Sequence, residues 1–234
     1  MTKMTTDTLL LSAACPLKRQ HQKQTILDAG CGSGVLGTLM RQRGTGFTYT
    51  GVEIDTELFD CTTVDEGISF IGADFLNWRQ MDLYMAFDHV ISNPPYFLRP
   101  NGRTSPNAQR ETARGISLED AELWVETCWK YLKPLGWFSL VWPSNLLSNL
   151  MTFVDGRASH MIFLPIQTAA EKSPIRFIVL MRKPAKKIQQ AEVDYLHPLQ
   201  FWGEERVVIE NILFNGKASL WQYLKSKDLK LPQI

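Results

Sequence analysis

The chain has almost no net charge: Lys+Arg 25 against Asp+Glu 24 gives +1 at pH 7 over 234 residues. No whole-molecule field therefore draws it to nucleic acid, and an RNA partner would have to be held by local basic patches. Cysteine is sparse as well. Cys15, Cys31, Cys61 and Cys128 stand far apart, with no Cys-x-x-Cys pair and no His at ligand spacing. That spacing argues against a zinc site and a disulfide framework, and predicts reduced thiols, no metal and a cytoplasmic location. No apolar run approaches the roughly 20 residues needed to cross a bilayer. The first thirty residues lack the basic, apolar and small-residue succession of a secretory signal. Repeats and low-complexity segments are missing too, and a soluble monomer is expected.

What is present is core material and a strand–helix alternation. Hydrophobic residues make up 44%, with Phe 12, Trp 7 and Tyr 6, enough for one sizeable domain. Short helices are predicted at Thr8 to Ala14 and at Val35 to Arg43, the latter stopped by Gly44. Strands are predicted at Thr25 to Leu27, Tyr49 to Ile54, Ile68 to Ala73 and Phe87 to Ser92. Leu118 to Leu132 is amphipathic and ends at the turn-like Lys133-Pro134-Leu135-Gly136, with a fifth strand at Trp137 to Trp142. Leu146 to Val154 reads as a helix. His160 to Ile166 and Pro174 to Met181 read as a closing hairpin. After Pro184 the pattern weakens, with Tyr195 to Trp202 and Glu204 to Phe214 readable as a strand and a helix before a basic tail. This divides the chain into a domain at 1–184 and an extension at 185–234, packed on it or appended to it.

The segment Ile26-Leu27-Asp28-Ala29-Gly30-Cys31-Gly32-Ser33-Gly34 carries a strand into a glycine turn and a helix. Glycine lets backbone approach a ligand, and the helix start offers unpaired N–H groups. Gly32-x-Gly34-x-x-Gly37 formally matches a dinucleotide fingerprint. Asp28 at the strand end weighs against that reading, because a carboxylate there would repel a pyrophosphate but would favour a ligand bearing an ammonium and a sulfonium. Glu53, ending the second strand, is placed to accept ribose hydroxyls. Asp74, ending the third, is placed to receive an adenine amino group with Phe75 beside the ring. Asp28 and Asp74 could otherwise cap the turns that follow them.

The fourth strand ends in Asn93-Pro94-Pro95-Tyr96, at the edge where open α/β sheets put their sites. An aromatic amine is a poor nucleophile because its lone pair is delocalised. The Asn93 side-chain carbonyl and the Pro94 backbone carbonyl can each accept one N–H, freeing that lone pair for a methyl group. Pro95 keeps the two acceptors preorganised. Tyr96 offers a face for stacking an unstacked base. Phe97 to Gly115 reads as a long loop, of a kind usually functional or disordered, with Arg99, Arg103, Arg110 and Arg114 against one acid, Glu111, suited to phosphate contacts or else a solvated face. A second basic cluster is Arg182, Lys183, Lys186 and Lys187. No covalent nucleophile is required, so the cysteines have no chemical task.

Together these motifs make the chain resemble the bacterial adenosine-6-amino tRNA methyltransferases that act on valine tRNA beside the anticodon, over roughly residues 4 to 184. Thr6-Asp7-Thr8-Leu9-Leu10-Leu11-Ser12-Ala13 is similar to that family's N-terminal Thr-Asp segment. Ser105-Pro106-Asn107, Arg110 and Ala113-Arg114 look like its loop after Asn-Pro-Pro-Tyr. The resemblance implies a Rossmann-like class I methyltransferase fold, with a seven-stranded mixed sheet, a terminal antiparallel hairpin and helices on both faces. It implies S-adenosylmethionine as cofactor, with S-adenosylhomocysteine as product and tRNA as partner. Cofactor contacts are then expected from Asp7, Asp28, Gly30, Gly32, Gly34, Glu53, Asp74 and Phe75. Catalysis falls to Asn93, Pro94 and Tyr96, and substrate contacts to Tyr96 and the four arginines of the loop. The segment preceding Thr-Asp in some relatives is largely absent, and the region past Pro184 matches only loosely.

Other readings of the same residues stay open. The chemistry could serve another amine: a release-factor glutamine, an rRNA guanine 2-amino group or DNA adenine. Glutamine enzymes usually add an N-terminal helical domain and DNA enzymes a target-recognition domain, for which room is lacking here. A dinucleotide oxidoreductase would leave Asn93 to Tyr96 unexplained, and a non-catalytic RNA-binding module would leave intact chemistry unused.

Overall fold

The computed structural model describes residues 5–17, 23–44, 46–58, 67–95, 117–188, 190–214 and 220–226. Its sheet comprises β1 (Gln24–Ala29), β2 (Phe47–Glu53), β3 (Ile68–Gly72), β4 (Phe87–Ser92), β5 (Leu132–Pro143), β6 (His160–Gln167), β7 (Arg176–Arg182), β8 (Glu192–Tyr195) and β9 (Leu199–Gln200). The order is β3-β2-β1-β4-β5-β7-β6-β8, with β9 also on β6. β1 to β5 are parallel, and β7 runs antiparallel to both β5 and β6. The expected seven strands and terminal hairpin are there, and two short strands beyond Pro184 extend the same sheet along β6.

Parallel strands are covered on both faces, so they read as continuous apolar runs whose alternate residues feed opposite cores. Ile26 of β1 and Ile91 of β4 enter one core, whereas Leu27, Ala29 and Val90 enter the other. The first core is closed by α1 (Thr6–Ala14) and α2 (Val35–Arg43), together with Ile209 of α5 (Gly203–Phe214) and Leu220, Tyr223 and Leu224 of α6 (Leu220–Ser226). The second is closed by α3 (Leu118–Tyr131) and α4 (Leu147–Val154) and is rich in large rings, including Phe75, Trp78, Trp124, Tyr131 and Trp142. Ser117 starts α3 as an N-cap, its hydroxyl accepting the Asp120 N–H at 3.0 Å, with Glu119 and Asp120 in the first turn complementing the helix dipole.

Lys133 to Gly136 does not separate helix from strand as its Lys-Pro-Leu-Gly sequence suggests. It lies within β5, which shifts register against β4 between Phe87 and His89. Leu135 takes φ 64° and donates its N–H to Lys183 O at 2.8 Å, while Lys183 N returns a bond to Gly136 O at 3.0 Å. The turn chemistry is thus spent on an irregularity inside the sheet. The Lys183 ammonium donates to Trp129 O and Leu132 O at 2.7 and 2.8 Å, capping α3, and burial lowers its pKa. Lys183 therefore leaves the basic cluster expected there, in which Lys186 and Lys187 are exposed.

Register brings four strand ends to one edge: Ala29 lies opposite Val52 and Ser92, and Glu53 lies opposite Gly72. The strand order reverses at β1, between β2 and β4, which is where open α/β sheets leave a crevice for ligands.

Candidate active site

The glycine turn leaves β1 with three left-handed residues, Gly30 (φ 72°), Gly32 (φ 55°) and Gly34 (φ 75°). A Cβ on Gly34 would sit 2.4 Å from Phe70 Cζ, whereas one on Gly32 would meet nothing within 4 Å. Gly34 is thus demanded by packing, and Gly32 shows bare backbone to open space. The turn is stitched to β2 by the Gly30 and Cys31 N–H groups, which donate to Val52 O at 2.9 and 3.1 Å. Beneath it, Trp124 Nε1 donates to Ser92 Oγ (3.0 Å) and Ser92 Oγ donates to Ala29 O (2.8 Å). That chain ties the end of β4 to the end of β1, and no motif signals it.

A cleft at this edge is lined by Thr5, Thr8, Asp28, Gly30, Cys31, Gly32, Ser33 and Asn93, among others. Asp28 is 2% exposed and its Oδ2 accepts the Tyr49 hydroxyl. Burial raises its pKa to about 7, offset in part by the Tyr49 bond and reinforced by the Glu53 charge. Glu53 staples the turn, its Oε2 accepting Gly32 N–H at 2.9 Å and its Oε1 accepting Asp55 N–H at 3.0 Å. Each oxygen keeps a lone pair for a hydroxyl group. Burial pushes the Cys31 thiol far above its ordinary pKa, which makes it inert.

Asp74 caps the turn after β3, accepting Leu76 N–H at 3.1 Å and the Asn77 amide at 2.6 Å. The Phe75 ring, expected beside an adenine, faces the second core. It is 2% exposed and packs 4.9 Å from Trp124 between centroids, with Trp78 and Tyr131 around it, because an apolar ring gains more inside the second core than at a wet rim. Asp7, expected to contact the cofactor, is 4% exposed and accepts from Arg176 Nη1 at 2.7 Å, tying α1 to β7, while its neighbours Thr5 and Thr8 face the cleft.

Asn93 donates from Nδ2 to Thr8 Oγ1 at 3.4 Å. Its Oδ1 is buried and has no hydrogen-bond partner among the described residues. Pro94, next in sequence, is buried. Tyr96, Arg99, Arg103, Arg110 and Arg114 lie outside the described residues. Sequence reasoning overlooked Tyr49, Ser92, Trp124 and Arg176. Tyr49 alone carried a local sign, as a polar-tipped ring inside an apolar strand.

Glycine backbone open to a cleft, a buried carboxylate beside it and an unsatisfied amide carbonyl fit a cationic nucleoside donor and an incoming amine. On this sheet order they define a class I S-adenosylmethionine-dependent methyltransferase. The family profile described as "Methyltransferase small domain" matches residues 5–111. The tRNA1(Val) (adenine(37)-N6)-methyltransferase of Shewanella halifaxensis (strain HAW-EB4) is 32% identical over 197 residues, 79% of this chain and 77% of the relative. That of Dickeya chrysanthemi (strain Ech1591) is 33% identical over 190 residues, 77% and 73%. The chain belongs to this tRNA1(Val) (adenine(37)-N6)-methyltransferase family.

Solved structures share the fold. A predicted O-methyltransferase from Agrobacterium tumefaciens superposes with TM-score 0.65 at 19% identity, over 91% of this chain and 97% of that one. A type I restriction-modification methyltransferase subunit from Streptococcus thermophilus gives 0.58 at 18% identity, over 94% and 56%.

Proposed function

We propose that the chain transfers a methyl group from S-adenosylmethionine to the 6-amino group of an adenosine in tRNA, position 37 of a valine tRNA by likeness to its relatives. The observation that carries this reading is the Asn93 carbonyl, buried in the cleft with no partner among the described residues. A buried acceptor left without a donor is unfavourable, and an adenine amino group entering the cleft supplies the missing N–H. With Pro94 O accepting the second N–H, the nitrogen is drawn toward a tetrahedral shape and its lone pair points at the donor. The cofactor, when bound, supplies an electrophilic methyl on a sulfonium that departs as a neutral thioether. The chain's own residues position and polarise. The open backbone at Gly32 receives the donor, ionised Asp28 faces its cationic end, Glu53 accepts ribose hydroxyls, and Tyr96 stacks on the base. Arg99, Arg103, Arg110 and Arg114, which follow Tyr96 in sequence, hold phosphates. Such a task belongs in the cytoplasm, where buried thiols at Cys15, Cys31 and Cys128 stay reduced.

The test incubates purified protein with unmodified tRNA and isotope-labelled cofactor, then digests the RNA for mass spectrometry. Label in N6-methyladenosine is expected. Label in a guanosine or in none of the tRNA nucleosides overturns the assignment. Asn93→Ala is expected to lower turnover on the order of a hundredfold while S-adenosylhomocysteine still binds.

A further inference from the structure

An acceptor role for Asn93 makes one demand that the strand end alone does not meet. A primary amide turned by half a revolution keeps its shape and presents NH2 instead of carbonyl, and an NH2 facing an amine is useless. We propose that Thr8, at the start of α1, sets the orientation of the Asn93 amide, and that the Asp7–Arg176 pair holds the turn carrying Thr8 in place. The inference rests on that reading of Asn93.

The geometry forms a short relay. Thr5 is the N-cap of α1, its Oγ1 accepting Thr8 N–H at 3.2 Å and lying 2.9 Å from Thr8 Oγ1. When the Thr8 hydroxyl donates to Thr5, its own lone pairs face Asn93 Nδ2, 3.4 Å away. With NH2 engaged on α1, the carbonyl stays buried with no hydrogen-bond partner among the described residues. Thr5, Thr8 and Asn93 line one cleft with Asp28 and the glycine turn.

Between Thr5 and Thr8 stands Asp7, buried, with Arg176 Nη1 at 2.7 Å. Arg176 pairs across the sheet with Pro143, the last residue of β5, so the ion pair fastens the first turn of α1 to the edge that bears the site. Thr8 is a positioning residue, acting on substrate only through Asn93.

Thr8→Val keeps the shape and removes the hydroxyl, and Thr8→Ser keeps the hydroxyl. With saturating tRNA and cofactor, Thr8→Val is expected to lose about tenfold in kcat, and Thr8→Ser to stay within about threefold of the natural chain. KM for tRNA and affinity for S-adenosylhomocysteine should hardly move. A Thr8→Val enzyme at full kcat, a Thr8→Ser enzyme as slow as Thr8→Val, or a loss confined to KM overturns the proposal. Asn93→Ala run in parallel separates the two levels. If it is active, the reading of Asn93 fails. If it is inactive beside a fully active Thr8→Val, orientation alone fails. In 15N-labelled protein the Asn93 side-chain signals, identified by their loss in Asn93→Ala, should shift in Thr8→Val and return in Thr8→Ser. Unchanged signals in Thr8→Val overturn the proposal whatever the RNA assay reads.

Discussion

At Asp28 two demands pull in opposite directions. Burial among strand ends favours the neutral acid, whereas the proposed place beside a cationic donor needs the anion. The balance lies at about pH 7, with burial the leading cause and the Tyr49 hydroxyl opposing it. In the ligand-free protein the carboxyl therefore holds its proton more tightly than in the unfolded chain. The stability this contributes is complete below about pH 4 and is lost as pH rises through 7. A bound cation reverses the preference and expels the proton. Affinity for S-adenosylhomocysteine, which keeps the ammonium, is thus expected to fall about tenfold from pH 8 to pH 6, one pK unit of linkage. Calorimetry in buffers of different ionisation enthalpy should count proton release on binding below pH 7. Asp28→Asn should bind more weakly at pH 8 and lose the pH dependence. Affinity that is flat from pH 6 to 8 in the natural chain would remove Asp28 as the partner of the charge.

At the scale of elements, the sequence reads well where punctuation is unambiguous. β4 ends at Ser92 as predicted, and α2 runs from Val35 to Arg43 between Gly34 and Gly44. It reads badly where a local rule meets a distant neighbour. Lys-Pro-Leu-Gly looks like a turn because β5 and Lys183 are invisible to it. The single strand expected at Tyr195 to Trp202 is instead two short ones, β8 and β9, because each pairs with β6 over only a few residues. The strand-end acids were legible as a set, but the contacts that orient them were not. Asp7 meets Arg176 across 169 positions and Asn93 meets Thr8 across 85, and no spacing rule spans such distances. The end of α1 shows the same dependence. Its last carbonyls are satisfied by other elements, with Arg43 donating to Ser12 O and Cys15 O and Trp221 Nε1 of α6 donating to Ala14 O at 2.7 Å. Trp221→Phe keeps an aromatic ring and removes the donor. It should cost about 1 kcal/mol, lowering Tm by about 2–4 °C, with cofactor affinity unchanged. An unshifted melt would mean that water replaces the indole at no cost.

For the whole molecule, the question is whether the segment after Pro184 is an appendage or part of the fold. Leu199, Phe201, Ile209, Leu220, Tyr223 and Leu224 are each at most 6% exposed. They share the first core with Leu9 and Leu10 of α1 and with Ile162, Leu164 and Ile166 of β6. β8 and β9 also pair with β6, so removing them opens a row of backbone N–H and C=O groups along a strand that is buried in the full chain. Burying one such apolar side chain is worth about 1.5–3 kcal/mol, and six of them together approach the ~5–15 kcal/mol that holds a typical domain folded. His160 Nε2 adds a 2.7 Å contact to Asp194 Oδ2, and Trp221 caps α1, whose first turn carries Thr5 and Thr8 of the cleft. We therefore expect that a chain ending at Pro184 neither melts cooperatively nor binds S-adenosylhomocysteine, although every glycine and acid of the cleft is retained. Calorimetric melting and ligand titration of the shortened chain would decide it. A sharp transition near that of the full protein, with binding intact, would make 185–234 a separable attachment and would shift the search for its role from folding to contact with tRNA.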